Sequence, residues 1–337
     1  FSKNSEYQGN CIYGKRDLSK DDRRGSKTEP SRSKQRGSRK HKGFYSFFSK
    51  AAQDRMGTKR NIGENHREYL ETRIGNEEKN MKVVILAGGF GTRISEESKF
   101  RPKPMIEIGG RPILWHIMKY YSSFGFHEFI ICCGYKGELI KDYFVNYQSY
   151  NSDFTIELKN NMLTMHKIPN EDWKVTLVDT GLNTMTGGRI KRIEQFIDSD
   201  NFMLTYGDGL CDVDLNSLVD FHMRHGRMAT ITTVKPEGRF GILDIQKEMI
   251  TDFREKSSND MGWINGGFMV LNKTIFRYIQ DDKTVFEREP LEKAAYEHKL
   301  AAYKHNGFWR CMDTQRDKEI LEKMWETGKP PWKNWNV

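Results

Sequence analysis

Met81-Lys-Val-Val-Ile-Leu-Ala87 runs straight into Gly88-Gly-Phe-Gly-Thr-Arg93. The first seven residues form a nearly continuous, β-branched apolar run, the pattern of a parallel strand buried on both faces. The glycines that follow let backbone N–H groups approach a phosphate chain that side chains would push away. Ligands in open α/β sheets bind beyond the carboxyl ends of the strands, and this loop stands at such an end. A dinucleotide fingerprint would need G-x-G-x-x-G opening a helix, with an acidic residue about 20 positions later. Here Gly89 and Gly91 are followed by Ile94 where the third glycine should be. The pattern therefore speaks against an NAD-dependent oxidoreductase and for a phosphate loop of another kind.

Outward from this strand the hydrophobic period alternates between strand and helix. Pro112 opens a helix whose Ile113, Leu114, Ile117, Met118 and Tyr121 recur at helical spacing, and Gly125 closes it. Strands are expected at 129–133, 174–178, 202–206, 228–234 and 249–254, and helices at 137–146, 187–197 and 214–225. A hairpin is expected around Asn160-Asn161. The order predicts a doubly wound α/β fold with a mixed, mostly parallel, Rossmann-like sheet, helices on both faces and a small C-terminal subdomain. The residues just after Ala87, Val178 and Tyr206 are the expected site.

Charge divides the chain. Residues 1–80 hold 20 Lys and Arg against 11 Asp and Glu, and residues 81–337 hold 35 of each, so the whole net charge of +9 lies before Met81. Only 17 of those first 80 residues are apolar, too few for burial to offset the entropy of ordering them. The expected organisation is a basic, disordered or non-native extension over 1–80 and a catalytic body over 81–337. Met81 stands where a native start would place it, which favours foreign upstream sequence over a nucleic-acid or membrane tail. Neither a membrane nor a nucleic-acid partner is expected: no apolar run reaches 18 residues, and the body is neutral. Five cysteines, odd in number and without a CxxC pair, suit a reducing cytoplasm.

Three further features carry chemistry. Lys103, between Pro102 and Pro104, has its backbone held extended and its ammonium aimed toward the glycine loop. Arg93 offers a planar, permanently charged fork to phosphate oxygens. Asp208, in Tyr206-Gly-Asp-Gly209, ends an apolar strand. Mg²⁺ takes one or two carboxylates together with substrate phosphates, and Asp313, just before the last helix, is the natural second carboxylate. Turn formation or helix capping are the plainer roles for the two aspartates.

These motifs give the chain from Met81 onward a resemblance to the sugar-1-phosphate nucleotidylyltransferases. Leu86-Ala-Gly-Gly-Phe-Gly-Thr-Arg93 resembles their signature loop, Lys103-Pro-Met their lysine motif and Tyr206-Gly-Asp208 their metal aspartate. Gly109-Gly-Arg-Pro-Ile-Leu-Trp-His116, Met185-Thr-Gly-Gly-Arg189, Ile264-Asn-Gly-Gly-Phe268 and Met312-Asp-Thr314 are most similar to the glucose-1-phosphate cytidylyltransferase branch. The resemblance implies CTP and glucose 1-phosphate as substrates, Mg²⁺ as cofactor and a homo-oligomer. It implies that Leu86, Ala87, Gly88, Gly89, Phe90, Gly91, Thr92, Arg93 and Lys103 hold the nucleotide, with Thr184, Arg189 and Gly207. It further implies that Gly241, Glu255, Lys256 and Asn265 hold the sugar phosphate, and that Asp208 and Asp313 bind the metal. Arg93, Lys103, Asp208 and Lys256 are the implied catalytic set. Ser257 replaces the proline that often follows the last lysine, and Phe90 replaces a leucine.

Overall fold

The structure, a computed structural model, describes residues 81–167, 171–236, 242–246, 249–254 and 262–335. The expectations for residues 1–80 and for Gly241, Glu255 and Lys256 fall outside them. Among the described residues, seven strands form the central sheet. They are β1 (Val83–Ala87), β2 (Glu128–Cys133), β3 (Lys174–Asp179), β4 (Asn201–Tyr206), β5 (Ala229–Val234), β6 (Ile264–Asn272) and β7 (Leu300–Lys304). Their spatial order is β7-β5-β6-β4-β1-β2-β3. β1 pairs in parallel with β2 and β4, β2 with β3, and β5 with β7. Only β6 runs the other way, antiparallel to β4 and β5. The mostly parallel, mixed sheet expected from the alternating periods is the one observed.

Among the described residues, six helices of seven residues or more accompany it: α1 (Ile113–Ser122), α2 (Gly137–Val145), α3 (Thr186–Arg192), α4 (Leu215–His225), α5 (Glu289–Tyr296) and α6 (Gln315–Glu326). β1 shows why both faces of the sheet must be covered. Val83 and Ile85 enter a core with α1, α4 and α6, whereas Val84 points into a second core with α3 and α5. All three side chains are fully buried, each burial contributing about 1.5–3 kcal/mol. Local signals set the helix ends. Asp214 accepts from the Ser217 N–H at the start of α4, and Gly226 closes it at φ 59°. Thr314 and Asp317 form a capping box on α6.

Boundaries differ from expectation in two places. The helix expected over 187–197 ends at Arg192 and continues as a 3₁₀ turn, Glu194–Phe196, because the chain must drop Ile193 and Ile190 into the second core. Lys103 is not in extended backbone. Pro102 is extended, and Lys103–Met105 then make a 3₁₀ turn with a proline in its first positions. The hairpin around Asn160-Asn161 is present as Phe154–Glu157 paired with Met162–Met165, with Asn161 at φ 53° in its turn.

Two histidines are buried as neutral rings. His116 Nε2 lies 2.8 Å from the Ile108 carbonyl while Trp332 Nε1 donates to its Nδ1. His222 Nδ1 lies 2.8 Å from Thr230 Oγ1. Burial lowers the pKa of each from 6.5 to about 4. Between those values the unfolded chain binds protons that the folded chain refuses, so their stabilising contribution is complete above 6.5 and lost as pH falls toward 4. Thermal melting between about pH 7.5 and 4.5 should show the midpoint falling below 6.5, with a shallower fall in His222→Gln. Identical profiles for parent and variant would show that His222 is not linked to the transition.

Candidate active site

The carboxyl ends of β1, β3 and β4 open on one cleft. Residues 86–93, 182–186 and 206–208 line a cavity of about 570 Å³ together with Lys103, Pro104, Arg189 and Asp313. The loops expected after Ala87, Val178 and Tyr206 therefore meet. So do the two aspartates, through backbone pairing invisible in either motif alone. Gly209–Cys211 pairs antiparallel with Trp309–Cys311, with Gly209 opposite Cys311. The ladder extends by one bond, Met312 N–H donating to the Asp208 carbonyl at 2.9 Å. Asp208 and Asp313 flank that bond. Capping of α6 falls to Thr314 and Asp317, so Asp313 has no part in it.

Lys103 stands between the carboxylates, its Nζ 2.6 Å from Asp208 Oδ2 and 2.6 Å from Asp313 Oδ1. Arg93 Nη1 reaches Asp313 Oδ2 at 2.9 Å. Burial by itself would push the Lys103 ammonium down. The charges and hydrogen bonds of Asp208 and Asp313 outweigh it and hold its pKa above the ordinary lysine value. Asp313 is the mirror case: burial acts to raise it, and Lys103, Cys311 and Arg93 together hold it below the usual carboxylate range. The pair is thus charged throughout the neutral range. Two acidic and two basic groups at the mouth of a glycine loop can neutralise and orient a polyphosphate.

A model of the nucleotidyl transferase family matches residues 82–326. The chain belongs to that family. A glucose-1-phosphate cytidylyltransferase of Salmonella typhi is 54% identical over 256 residues, 76% of this chain and all of that one. A protein of the same name from Salmonella typhimurium is 53% identical over the same span. Among solved structures, HddC from Yersinia pseudotuberculosis superposes with a TM-score of 0.54 at 26% identity, covering 73% of this chain and 99% of its own.

In this nucleotidyl transferase Arg189 is a clamp. Although it lines the cavity, it is 4% exposed and its guanidinium donors meet protein oxygens. Nη1 donates to Thr180 Oγ1 at 2.8 Å and the Gly181 carbonyl at 2.7 Å. Nη2 donates to the carbonyls of Gly88 at 3.0 Å and Leu182 at 3.2 Å. The guanidinium fastens the glycine loop to the loop after β3. Here lies the reason for Gly88, where a Cβ would sit 2.2 Å from Arg189 Nη1. The three loop glycines have different tasks. Gly91 adopts φ +65°, while a Cβ on Gly89 would meet nothing within 4 Å, so Gly89 alone faces open space where a ligand could approach. Gly207 leaves no such room, since a Cβ there would come 2.9 Å from the Leu86 carbonyl and Pro104.

Thr184 lines the cavity as expected, and Asn265 does not. Asn265 instead approaches Tyr206 from behind, donating from Nδ2 to its hydroxyl at 3.1 Å. The sequence reading missed Glu287, which accepts from Tyr206 Oη and from Thr186 Oγ1 at 2.6 Å each. Within Phe286-Glu-Arg-Glu-Pro290 it looks like one charge among several on a helix entry, and no spacing singles it out. Cys211, Asp212 and His305 also cluster. Burial pushes the Cys211 thiol well up, against thiolate ligation, and His305 Nε2 already meets Asp212 Oδ1 at 2.8 Å.

Gly88→Ala and Gly89→Ala should therefore separate. The first must displace a buried guanidinium and should lower the melting temperature of the protein without substrate by several degrees. The second should melt with the parent yet weaken nucleotide affinity. Equal melting of both variants would refute the clamp.

Proposed function

We propose that this nucleotidyl transferase joins CTP to α-D-glucose 1-phosphate, forming CDP-glucose and releasing diphosphate. The observation that carries the reading is the convergence of Asp208, Asp313, Lys103 and Arg93 on the glycine loop. The chain's 54% identity to a glucose-1-phosphate cytidylyltransferase along that relative's whole length supports the base and the sugar. An oxygen of the sugar phosphate attacks the α-phosphorus of the triphosphate; the new O–P bond forms as the bond to the β-phosphate oxygen breaks on the opposite side. The nucleophile is already an anion, so no general base and no covalent enzyme intermediate are needed. What the protein must supply is alignment of two repelling anions and neutralisation of charge accumulating on the diphosphate.

The backbone N–H groups at Gly88–Gly91 receive the triphosphate, with Thr184 and the Arg189-clamped loop on the base side. Arg93 and Lys103 neutralise the leaving diphosphate. Lys256, with Glu255, Gly241 and Asn265, is assigned to the sugar phosphate. Asp208 and Asp313 fit a Mg²⁺ ion by donor chemistry, two carboxylates facing a single cationic point at the edge of a phosphate-sized cavity. When bound, the ion would supply Lewis-acid stabilisation of phosphoryl charge. Residues 81–337 form the catalytic unit in this reading. The apolar face of the 154–165 hairpin, with Phe154, Ile156 and Leu163 each 42–50% exposed, supports self-association into a homo-oligomer. The free thiols of Cys132, Cys133, Cys211 and Cys311 suit a reducing cytoplasm.

Diphosphate release by the full chain and by residues 81–337, across a panel of nucleoside triphosphates and sugar 1-phosphates, tests the reading. CTP with glucose 1-phosphate should be the fastest pair for both proteins. Asp208→Asn and Asp313→Asn should each remove most turnover while melting near the parent temperature. A faster pair would reassign the substrates, and parental turnover in either variant would remove that residue from the metal site.

Lys103→Met gives a readout without turnover. It leaves two carboxylates facing each other without the ammonium, so the variant should melt below the parent and gain more in melting temperature from added Mg²⁺. Equal gains would show that the ammonium and the ion do not share the carboxylates.

A further inference from the structure

Behind the cavity wall lies a chain of hydrogen bonds with one possible direction. Asn265 Nδ2 donates to Tyr206 Oη at 3.1 Å, and Tyr206 Oη donates to Glu287 Oε1 at 2.6 Å. From the other side the Phe286 N–H donates to Thr186 Oγ1 at 2.9 Å, and Thr186 Oγ1 donates to Glu287 Oε2 at 2.6 Å. An ionised carboxylate only accepts. Both hydroxyl protons must therefore point at Glu287, which leaves the Tyr206 oxygen free only to accept. That in turn forces Asn265 to present its NH₂ to Tyr206 and its carbonyl oxygen elsewhere. The carbonyl oxygen is found accepting from the Gly267 N–H at 2.9 Å. This closes a bulge in β6, where Gly267 and Phe268 take φ values of 77° and 43° and the register with β5 slips.

Both hydroxyl residues of the chain touch the site. Tyr206 and Thr186 line the cavity, and Thr186 opens α3 two residues after Thr184. Asn265 is one of the residues assigned above to the sugar phosphate.

We infer that Glu287 is a positioning residue that sets the orientation of the Asn265 amide through Tyr206 and the seat of the α3 N-terminus through Thr186. Its two carboxylate oxygens are shared between the Tyr206 arm and the Thr186 arm. The inference rests on the proposed roles of Asn265 and Thr184 in substrate binding. Glutamine at 287 cannot satisfy both hydroxyls, because its NH₂ cannot accept. One of them must turn its proton away, and on the Tyr206 arm that proton faces Asn265 and opposes its observed orientation.

The test is steady-state kinetics with each substrate varied in turn, using Tyr206→Phe, Thr186→Val and Glu287→Gln in the full chain. The substrate pair is the one on which the parent is fastest. Tyr206→Phe keeps the ring and cuts only the Asn265 arm, so KM for the sugar phosphate should rise about tenfold with KM for the nucleotide within about twofold, the loss of roughly one hydrogen bond. Thr186→Val should show the reverse split. Glu287→Gln should raise both. A general packing defect would lower kcat or melting temperature without splitting the two KM values. If Tyr206→Phe melts with the parent and leaves the sugar-phosphate KM unchanged, or if both single-arm variants affect both substrates alike, the positioning role is overturned. A parent that prefers a pair other than CTP and glucose 1-phosphate would overturn the proposed substrates and leave this comparison readable on the preferred pair.

Discussion

Two carboxylates drawn to one point repel each other, and the cleft of this protein is built around that repulsion. Asp208 and Asp313 are brought together by three residue pairs of antiparallel backbone and one further bond, a short ladder for such a load. The ammonium of Lys103 between them converts the repulsion into a three-member ion cluster, and its low exposure makes each contact stronger than on an open surface. Lys103 reaches that position because the 3₁₀ turn at Lys103–Met105 brings it back against the glycine loop, where a Cβ on Gly91 would lie 3.3 Å from its own Cβ. The last strand pair, the lysine turn and the phosphate loop are therefore mutually dependent. A binding site for anions has been assembled with its acidic groups already compensated.

Charge does one part of the work and shape another. Arg189 carries a full positive charge in a pocket suited to polyphosphate, yet its donors are committed to protein oxygens. A buried guanidinium is costly unless such partners are present, and a fork with five N–H donors is well matched to several carbonyls from separate loops. The loops after β1 and β3 are thereby held as a single rigid surface. Cations that face the cavity mouth, Arg93 foremost with a side chain 75% exposed, remain available to a ligand.

The parallel half of the fold was legible because its strands are buried on both faces and read as unbroken apolar runs, as in 83–87, 129–133 and 202–206. β6 and β7 were not. β6 contains Asn265, Gly266 and Gly267 near its start, which breaks the strand signal where the bulge lies. β7 is short and only partly buried. In the site, single residues could be picked out where a motif surrounds them, as with Lys103, Asp208 and Arg93. Asp208 and Asp313 were expected at one ion, but the Lys103 ammonium between them and the strand pair that joins them could not be read, because the register of Gly209–Cys211 on Trp309–Cys311 is a tertiary fact. Arg189 lines the cavity, but its clamp on the backbone carbonyls of Gly88, Gly181 and Leu182 could not be read, since backbone carbonyls leave no trace in side-chain identity. Glu287 was missed for a different reason: its meaning lies in two hydroxyls about 81 and 101 residues away.

The antiparallel strand also dictates an order of assembly. β4 and β5 are consecutive strands of the sheet in the chain, but β6 lies between them, and it is the later of the three to be synthesised. Until residue 272 has left the ribosome, β4 presents a bare edge of unpaired N–H and C=O groups, apolar on both faces, with no partner yet made. Strands β1, β2 and β3 pair in chain order, and β4 returns across about 120 residues to the free side of β1. The closing strand must then enter a slot between two strands instead of adding to a rim. The placement of one strand thus leaves every nascent chain that ends before it with an unpaired edge in the middle of the future sheet, the kind of surface that invites pairing with another chain.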